Sequence, residues 1–217
     1  MKLLLLGATG RTGRIVLKTA LERRYKVNCL ARNIHRIETQ KGLTIIEGNP
    51  KNKSDLAQAA SGCDAVISTL NISRTSDFPW ARLRTPKKYM SDVVAELVVI
   101  AEEIKLKHII ICSAWGVAET EKDLPNWFRW FIRNSNIGIA YQDHERQEKI
   151  ISNSNLDWTI VRPVGLINST KKENIIESHN NAPKPGLTIS RQSVATYLID
   201  CLGNDSFYRK KIIISKK

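Results

Sequence analysis

Four consecutive leucines at positions 3–6 run straight into Gly7-Ala8-Thr9-Gly10-Arg11-Thr12-Gly13, and apolar residues then recur at helical spacing at Val16, Leu17, Ala20 and Leu21. A short run without a polar position suits a strand buried on both faces. The glycine string reads as the turn out of that strand and the start of a helix. In such a unit Gly7 permits the tight turn, and Gly10 lets the backbone approach a diphosphate with no Cβ in the way. Gly13 lets helix and sheet pack closely. Amide groups at the helix start, with the positive end of its dipole, then hold the anion. The candidate diphosphate site is therefore Gly7, Thr9, Gly10, Arg11, Thr12 and Gly13.

The rest of the chain keeps the same rhythm. Strand-like runs are expected at 27–31, 43–47, 65–69, 108–112, 158–161 and 211–214. Amphipathic stretches separate them. Ser54 is a candidate N-cap for a helix holding Leu56, Ala59 and Ala60. Pro86 suits the first turn of a helix carrying Met90, Val93, Val94, Leu97, Ala101 and Ile104. A helix with Ile150 and Ile151 precedes the sixth strand. This order predicts one α/β domain over 1–217, a doubly wound parallel sheet of the Rossmann type. Three long irregular stretches, 73–84, 116–136 and 168–190, follow strand ends, where such sheets build their binding crevice.

Composition narrows the partners. The 217 residues carry 34 Lys plus Arg against 21 Asp plus Glu, a net charge of +13. The cations are scattered in short groups such as Lys87-Lys88, Lys171-Lys172 and Arg209-Lys210-Lys211. A solvated basic surface explains them better than a nucleic-acid footprint. No apolar run reaches membrane length, and the apolar stretch after Lys2 is too short for a secretory signal. Cys29, Cys63, Cys112 and Cys201 lie far apart with no C-x-x-C spacing, which suits free thiols in a reducing cytoplasm. Asp143, His144 and Glu145 are adjacent, so they face different sides of a helix and form no metal site. The expected partner is a small-molecule substrate, with no nucleic acid, membrane or metal, on a cytoplasmic monomer or small homo-oligomer.

The end of the second strand discriminates between coenzymes. An NAD site places Asp or Glu there to accept from the ribose hydroxyls. This chain has Ala31-Arg32-Asn33, with Arg36 one turn later. No acid repels a 2′-phosphate, and a guanidinium can pair with one bidentately. The expected cofactor is NADP(H), held by Arg32 and by Arg36, unless the latter is only a surface charge.

The opening Gly7-Ala8-Thr9-Gly10, the run Asp64-Ala65-Val66-Ile67, Cys112-Ser113-Ala114 and Thr159-Ile160-Val161-Arg162-Pro163 together resemble the atypical short-chain dehydrogenase/reductases. The subgroup is the NAD(P)H-binding proteins similar to biliverdin reductase B, or flavin reductase. The resemblance spans nearly the whole chain. It implies that Asn49 and Pro50 lie beside the adenine, Asn49 standing where the family usually has Asp. It implies that Thr69, Leu70 and Asn71 run along the cofactor. Ser113, Pro163 and Val164 should border the nicotinamide. The superfamily's Tyr-x-x-x-Lys pair is absent: His144 stands at the lysine position, Ala140 at the tyrosine position, and Tyr141 is one residue away.

The catalytic candidates are Ser113 and His144. A hydroxyl at a strand's C-terminal end can donate to a substrate carbonyl or to the nicotinamide carboxamide, or merely cap a turn. His144 has a reference pKa suited to proton transfer near neutrality, or it is a solvated helical histidine. Trp127-Phe128-Arg129-Trp130-Phe131, with Trp80 and Trp115, could stack on a planar acceptor or pack on the domain. The leading expectation is an NADPH-dependent reductase of a flavin, quinone, tetrapyrrole or carbonyl compound. A non-catalytic NADP(H) redox sensor, and an epimerase-like enzyme with tightly held NADP, are the rivals.

Overall fold

The computed structural model describes residues 1–170 and 173–217, and the Lys171-Lys172 pair lies outside the described residues. Strand β1 (Lys2–Leu6) leads through the glycine turn into α1 (Arg11–Glu22). Then come β2 (Lys26–Ala31), β3 (Leu43–Glu47), α2 (Lys53–Ala60), β4 (Ala65–Ser68), α3 (Tyr89–Glu103) and β5 (His108–Cys112). The second half holds α4 (Asn126–Arg133), α5 (Ile137–Ser152), β6 (Trp158–Pro163) and β7 (Gly165–Ile167). It ends with β8 (Ile175–Ser178), β9 (Thr188–Ser190), α6 (Arg191–Asp200) and β10 (Lys210–Lys216).

Eight strands form the main sheet in the order β3-β2-β1-β4-β5-β6-β10-β8. Seven run parallel, and β8 closes the edge antiparallel to β10. The four leucines of β1 show why two helical layers are needed. Leu3 and Leu5 pack with Val16 and Leu17 of α1 and Leu198 of α6. Leu4 and Leu6 point to the other face, against Leu56 of α2, Leu97 of α3 and Ile151 of α5. A strand alternates faces, so an all-apolar strand requires a helical layer on each. The strand order reverses between β1 and β4, which places a crevice at the carboxyl ends of these two strands.

Some local expectations are corrected. Asn52, not Ser54, caps α2: its Oδ1 accepts from the Ser54 and Asp55 amides at 2.9 and 3.4 Å. Pro86 precedes α3 in a turn, its carbonyl accepting from the Tyr89 amide at 3.3 Å. Lys88 gives α3 no side-chain cap, and Asp143 of α5 supplies it, accepting from the Met90 amide at 2.7 Å and Ser91 Oγ at 2.5 Å. The stretch 116–136 is not irregular: it contains a 3₁₀ turn (Ala118–Asp123) and α4. The stretch 168–190 contains β8 and β9, and β9 pairs with β7 in a small second sheet.

Candidate functional site

The glycine turn is built as its sequence requires. Gly7 has φ +89°, a conformation that side chains disfavour. Its carbonyl accepts from the Gly10 amide at 2.9 Å, which closes the turn. Gly10 is the N-cap of α1, and no side chain caps that end. The first amides of α1 are thus free to bind an anion. A Cβ on Gly10 would meet only the Gly7 carbonyl, at 3.2 Å. A Cβ on Gly13 would stand 2.1 Å from the same oxygen and 2.8 Å from Thr69 Oγ1. Gly13 therefore holds α1 against β1 and β4, while Gly10 keeps space open.

A cleft of about 480 Å³ lies over this turn. Gly7, Thr9, Gly10, Arg11 and Thr12 form its floor, and Pro50, Thr69, Leu70 and Asn71 line it further. Arg32 and Arg36 stand at its β2 end, and Arg32 lies 5.8 Å from the centre of the Tyr89 ring. Arg74, Arg84 and Arg191 complete a set of six lining arginines with Arg11. The one acid lining the cleft among the described residues is Asp77, which Arg11 grips with two bonds of 2.9 and 3.1 Å. Arg74 Nε is buried and has no hydrogen-bond partner among the described residues. An uncapped helix start, open space at Gly10 and an unpaired buried guanidinium nitrogen fit a dinucleotide with its phosphates.

Other expected site residues stand apart from this cleft. Asn49 Oδ1 accepts from the Lys51 amide at 3.1 Å, so a local turn occupies the side chain. Gly13, Ser113, Pro163 and Val164 do not line the cleft. Val164 is buried, and its amide donates to the Ile214 carbonyl at 3.2 Å. Trp115 is buried in the core, and the other indole and phenyl rings of the long loops also lie off the cleft. The expected aromatic wall is thus corrected: Tyr89 is the aromatic side chain lining the cleft among the described residues. Tyr141 lines a second cavity, of about 300 Å³, and burial pushes its phenol up to about 12.

Ser113 and His144 are both buried. Ser113 Oγ donates to Glu148 Oε1 at 2.5 Å, so its proton is committed and its lone pairs are what it can offer. His144 is 4% exposed, and its Nδ1 meets the Gln147 amide nitrogen at 2.6 Å. Burial pushes this imidazole down to about 4. Its burial, not a solvated helical face, is what the structure shows for His144, and that burial disfavours the protonated form.

Glu148 leads to the residue that sequence reasoning overlooked. Arg162, on β6, is 2% exposed. Its Nε donates to Glu148 Oε1 at 3.0 Å and its Nη2 to Glu148 Oε2 at 2.5 Å. Nη1 reaches Glu119 Oε1 at 2.6 Å. Burial disfavours the guanidinium charge, but these two carboxylates outweigh that and hold its pKa above the ordinary arginine range. The Arg162 guanidinium in turn holds the Glu119 carboxyl below its usual value. The signal was in the sequence: a charge inside a strand buried on both faces demands a partner.

The histidines give a pH prediction. His108, buried against Thr159 Oγ1 at 2.8 Å, is also pushed down to about 4 by burial, against the opposing pull of Asp157 and Asp205. In the unfolded chain both imidazoles take a proton near 6.5, but in the folded chain only near 4. Between these limits the unfolded state binds more protons, so stability falls as pH drops. Thermal melts from about pH 7 to pH 5 should show a steadily falling Tm, with about two protons taken up on unfolding. His144→Gln should remove about one of them. An unchanged Tm across this range refutes two buried neutral imidazoles.

Comparison with known proteins agrees with the geometry. A "Photosystem II assembly factor Ycf39" from Trieres chinensis is 29% identical over 185 residues, covering 84% of this chain and 51% of that protein. The chain thus spans about half the length of this curated relative. A short-chain dehydrogenase/reductase from Veillonella parvula, solved in complex with NADP, superposes with a TM-score of 0.80 at 21% identity, covering 99% of this chain and 94% of that one. The anaerobilin reductase ChuY from Escherichia coli O157:H7 superposes with a TM-score of 0.82 at 18% identity, covering 100% and 97% of the two chains. At these identities the superpositions speak for the fold. Residues 7–205 match the family described as NAD(P)H-binding, a span from the first glycine of the turn to the end of α6 and beyond. That is most of the sequence, and the chain belongs to the NAD(P)H-binding family.

Proposed function

We propose that this protein is an NADPH-dependent reductase of a small or planar acceptor such as a flavin, quinone, tetrapyrrole or carbonyl compound. The observation that carries the reading is the cleft over the uncapped α1 start, with Arg32 and Arg36 at its β2 end and no acid there to repel a 2′-phosphate. The nicotinamide, when bound, supplies the hydride. The turn residues Gly7, Thr9, Gly10, Arg11 and Thr12 hold the diphosphate, with Gly13 fixing α1 behind them. Arg32 and Arg36 hold the 2′-phosphate. Pro50 lies toward the adenine, with Asn49 shaping the turn before it, and Thr69, Leu70 and Asn71 lie along the coenzyme. Ser113, Pro163 and Val164, which do not line the cleft, act behind the nicotinamide end as positioning residues. His144 is a positioning residue, and water supplies the proton.

The test is turnover of NADPH with a panel of such acceptors, read at the nicotinamide absorbance. Rates at background with every acceptor overturn the enzyme reading. Selectivity has its own test. A charge-assisted hydrogen bond contributes about 1.5–3 kcal/mol. Arg32→Ala should therefore weaken NADPH binding by about 10- to 100-fold and leave NADH within about threefold. Equal losses for both coenzymes reject Arg32 as the 2′-phosphate ligand.

One observation favours a second reading. Ser113 and His144 are buried, and Asp77, the one acid lining the cleft among the described residues, is tied to Arg11. A non-catalytic NADP(H)-binding regulatory or assembly protein needs no acid, and relatives of this chain carry assembly-factor names. Coenzyme-dependent capture of a defined partner, with NADPH returned unoxidised, would select it. An epimerase-like use would show as coenzyme that co-purifies and is returned unchanged after turnover.

A further inference from the structure

Four aromatic side chains of the 73–84 segment and α4 face solvent: Trp127 at 67% exposure, Trp130 at 62%, Phe78 at 61% and Trp80 at 48%. They form one patch. Phe78 and Trp80 have ring centres 5.3 Å apart, and Trp80 meets Phe131 of α4 at 5.9 Å. Phe131 stacks with Phe128 at 6.3 Å, and Phe128 touches Trp127 at 5.3 Å. The two segments are bonded together: Trp80 Nε1 donates to the Asn134 carbonyl at 2.6 Å, and the Asn136 amide to the Pro79 carbonyl at 3.0 Å. Within α4, Ile132 is buried and Phe128 packs on the core. Trp127 and Trp130, three residues apart, share the outer side.

The charge around these rings is one-sided. Residues 73–88 and 126–133 carry seven Lys or Arg against one acid, Asp77. Asp77 is held by Arg11. Of the three acids of the adjoining 3₁₀ turn, Glu119 is engaged by Arg162 and Glu121 by Arg133, and Asp123 adds one further negative charge. A second copy of the chain would bring cations against cations, so self-association is disfavoured. Trp80 packs edge-on to Phe131 at 86° and Phe78 is tilted on Trp80 at 51°; Phe128 and Phe131 stack at 18°, but Phe128 packs on the core, so successive bases find no ladder of exposed parallel faces. Neither cavity described above is lined by these exposed rings. Exposed indoles on a short amphipathic helix, ringed by cations, suit a water–lipid interface.

We propose that α4 and the tip of the 73–84 segment form a peripheral docking surface for a bilayer rich in anionic lipid headgroups. Trp127, Trp130, Phe78 and Trp80 enter the headgroup layer, and the surrounding Lys and Arg attract its charge. Composition pointed to no membrane partner, because the patch is assembled by folding from two segments far apart in sequence. The 73–84 segment also lines the cleft through Arg74, Asp77 and Arg84, so docking sets the cleft beside the bilayer. The contact is peripheral: among the described residues no helix is long and apolar enough to cross a membrane.

The test is co-sedimentation of the full chain with phosphatidylcholine vesicles containing about one-third phosphatidylglycerol, and with pure phosphatidylcholine. The charged vesicles should retain the protein and blue-shift its tryptophan emission. Pure phosphatidylcholine should retain little, and high salt should release the chain. Trp127→Ser with Trp130→Ser should lower partitioning by about 10-fold or more. Unaltered circular dichroism and NADPH titration would show this variant folded, and Arg129→Gln provides a milder second variant with a smaller loss. No retention on charged vesicles overturns the proposal, as does equal retention of the double variant. Retention on a single-stranded oligonucleotide in place of vesicles, or a dimer lost with the two indoles, also overturns it. Partitioning is read without turnover, so this outcome is independent of the reductase reading.

Discussion

Replacing Arg162 with Met lowers the free energy of unfolding by about 3–5 kcal/mol, the range seen when one partner of a buried ion pair is removed. The loss comes less from the missing contacts than from what stays behind. Glu148 is 2% exposed, and in the variant its charge keeps only the Ser113 hydroxyl as a partner among those seen here. A buried carboxylate without a cation costs several kcal/mol. The damage also spreads by position. Arg162 lies on β6, Glu148 on α5, Ser113 just beyond β5 and Glu119 on the 3₁₀ turn before α4. One guanidinium thus ties together four segments behind the cleft. Denaturant titration measures the loss. The double change Arg162→Met with Glu148→Met removes both charges and should recover most of it, because a buried pair replaced by apolar groups is often near neutral. A double variant as unstable as the single one refutes the uncompensated-charge account.

The same pair marks the limit of what the sequence discloses. The central strands are legible because residues 3–6, 108–112 and 158–161 are short apolar runs between turn residues, and nothing else satisfies them. The glycine turn is legible because three glycines at fixed spacing follow a strand. The place of Arg32 at the cleft is legible because it directly follows β2. The partner of Arg162 is a matter of long-range geometry, and Glu148, on another element, shows only helical spacing to His144 and Tyr141 in sequence. Short edges escape for a different reason. Strands β7 and β9 have three residues each and β8 four, too few for a period-2 pattern to emerge. Asn52 and Ser54 both belong to the capping class, and only the path of the entering chain decides which oxygen reaches two amides. The rings of 126–131 read as either packing or stacking, and their solvent exposure is set by tertiary placement.

Two glycines three residues apart should separate binding from folding. Gly10→Val should weaken both NADPH and NADH by about 100-fold or more, with little loss of stability. The added side chain has one near neighbour, the Gly7 carbonyl at 3.2 Å, and it otherwise fills the space over the α1 amides that a diphosphate needs. Gly13→Ala should do the reverse. Its Cβ would stand 2.1 Å from the Gly7 carbonyl oxygen and 2.7 Å from the Gly7 carbonyl carbon, both backbone atoms. No rotamer relieves that contact, so α1 must move away from the turn and from Thr69. Overpacking costs about 1–3 kcal/mol where side chains can yield, and a backbone clash lies at or above the upper end. The expected result is a loss of about 3 kcal/mol in denaturant unfolding. Any fall in NADPH affinity should be one that saturating coenzyme offsets, because a ligand of the folded state restores stability by mass action. If Gly10→Val instead unfolds the chain while leaving coenzyme affinity intact in the folded fraction, the turn is a packing device and the diphosphate lies elsewhere.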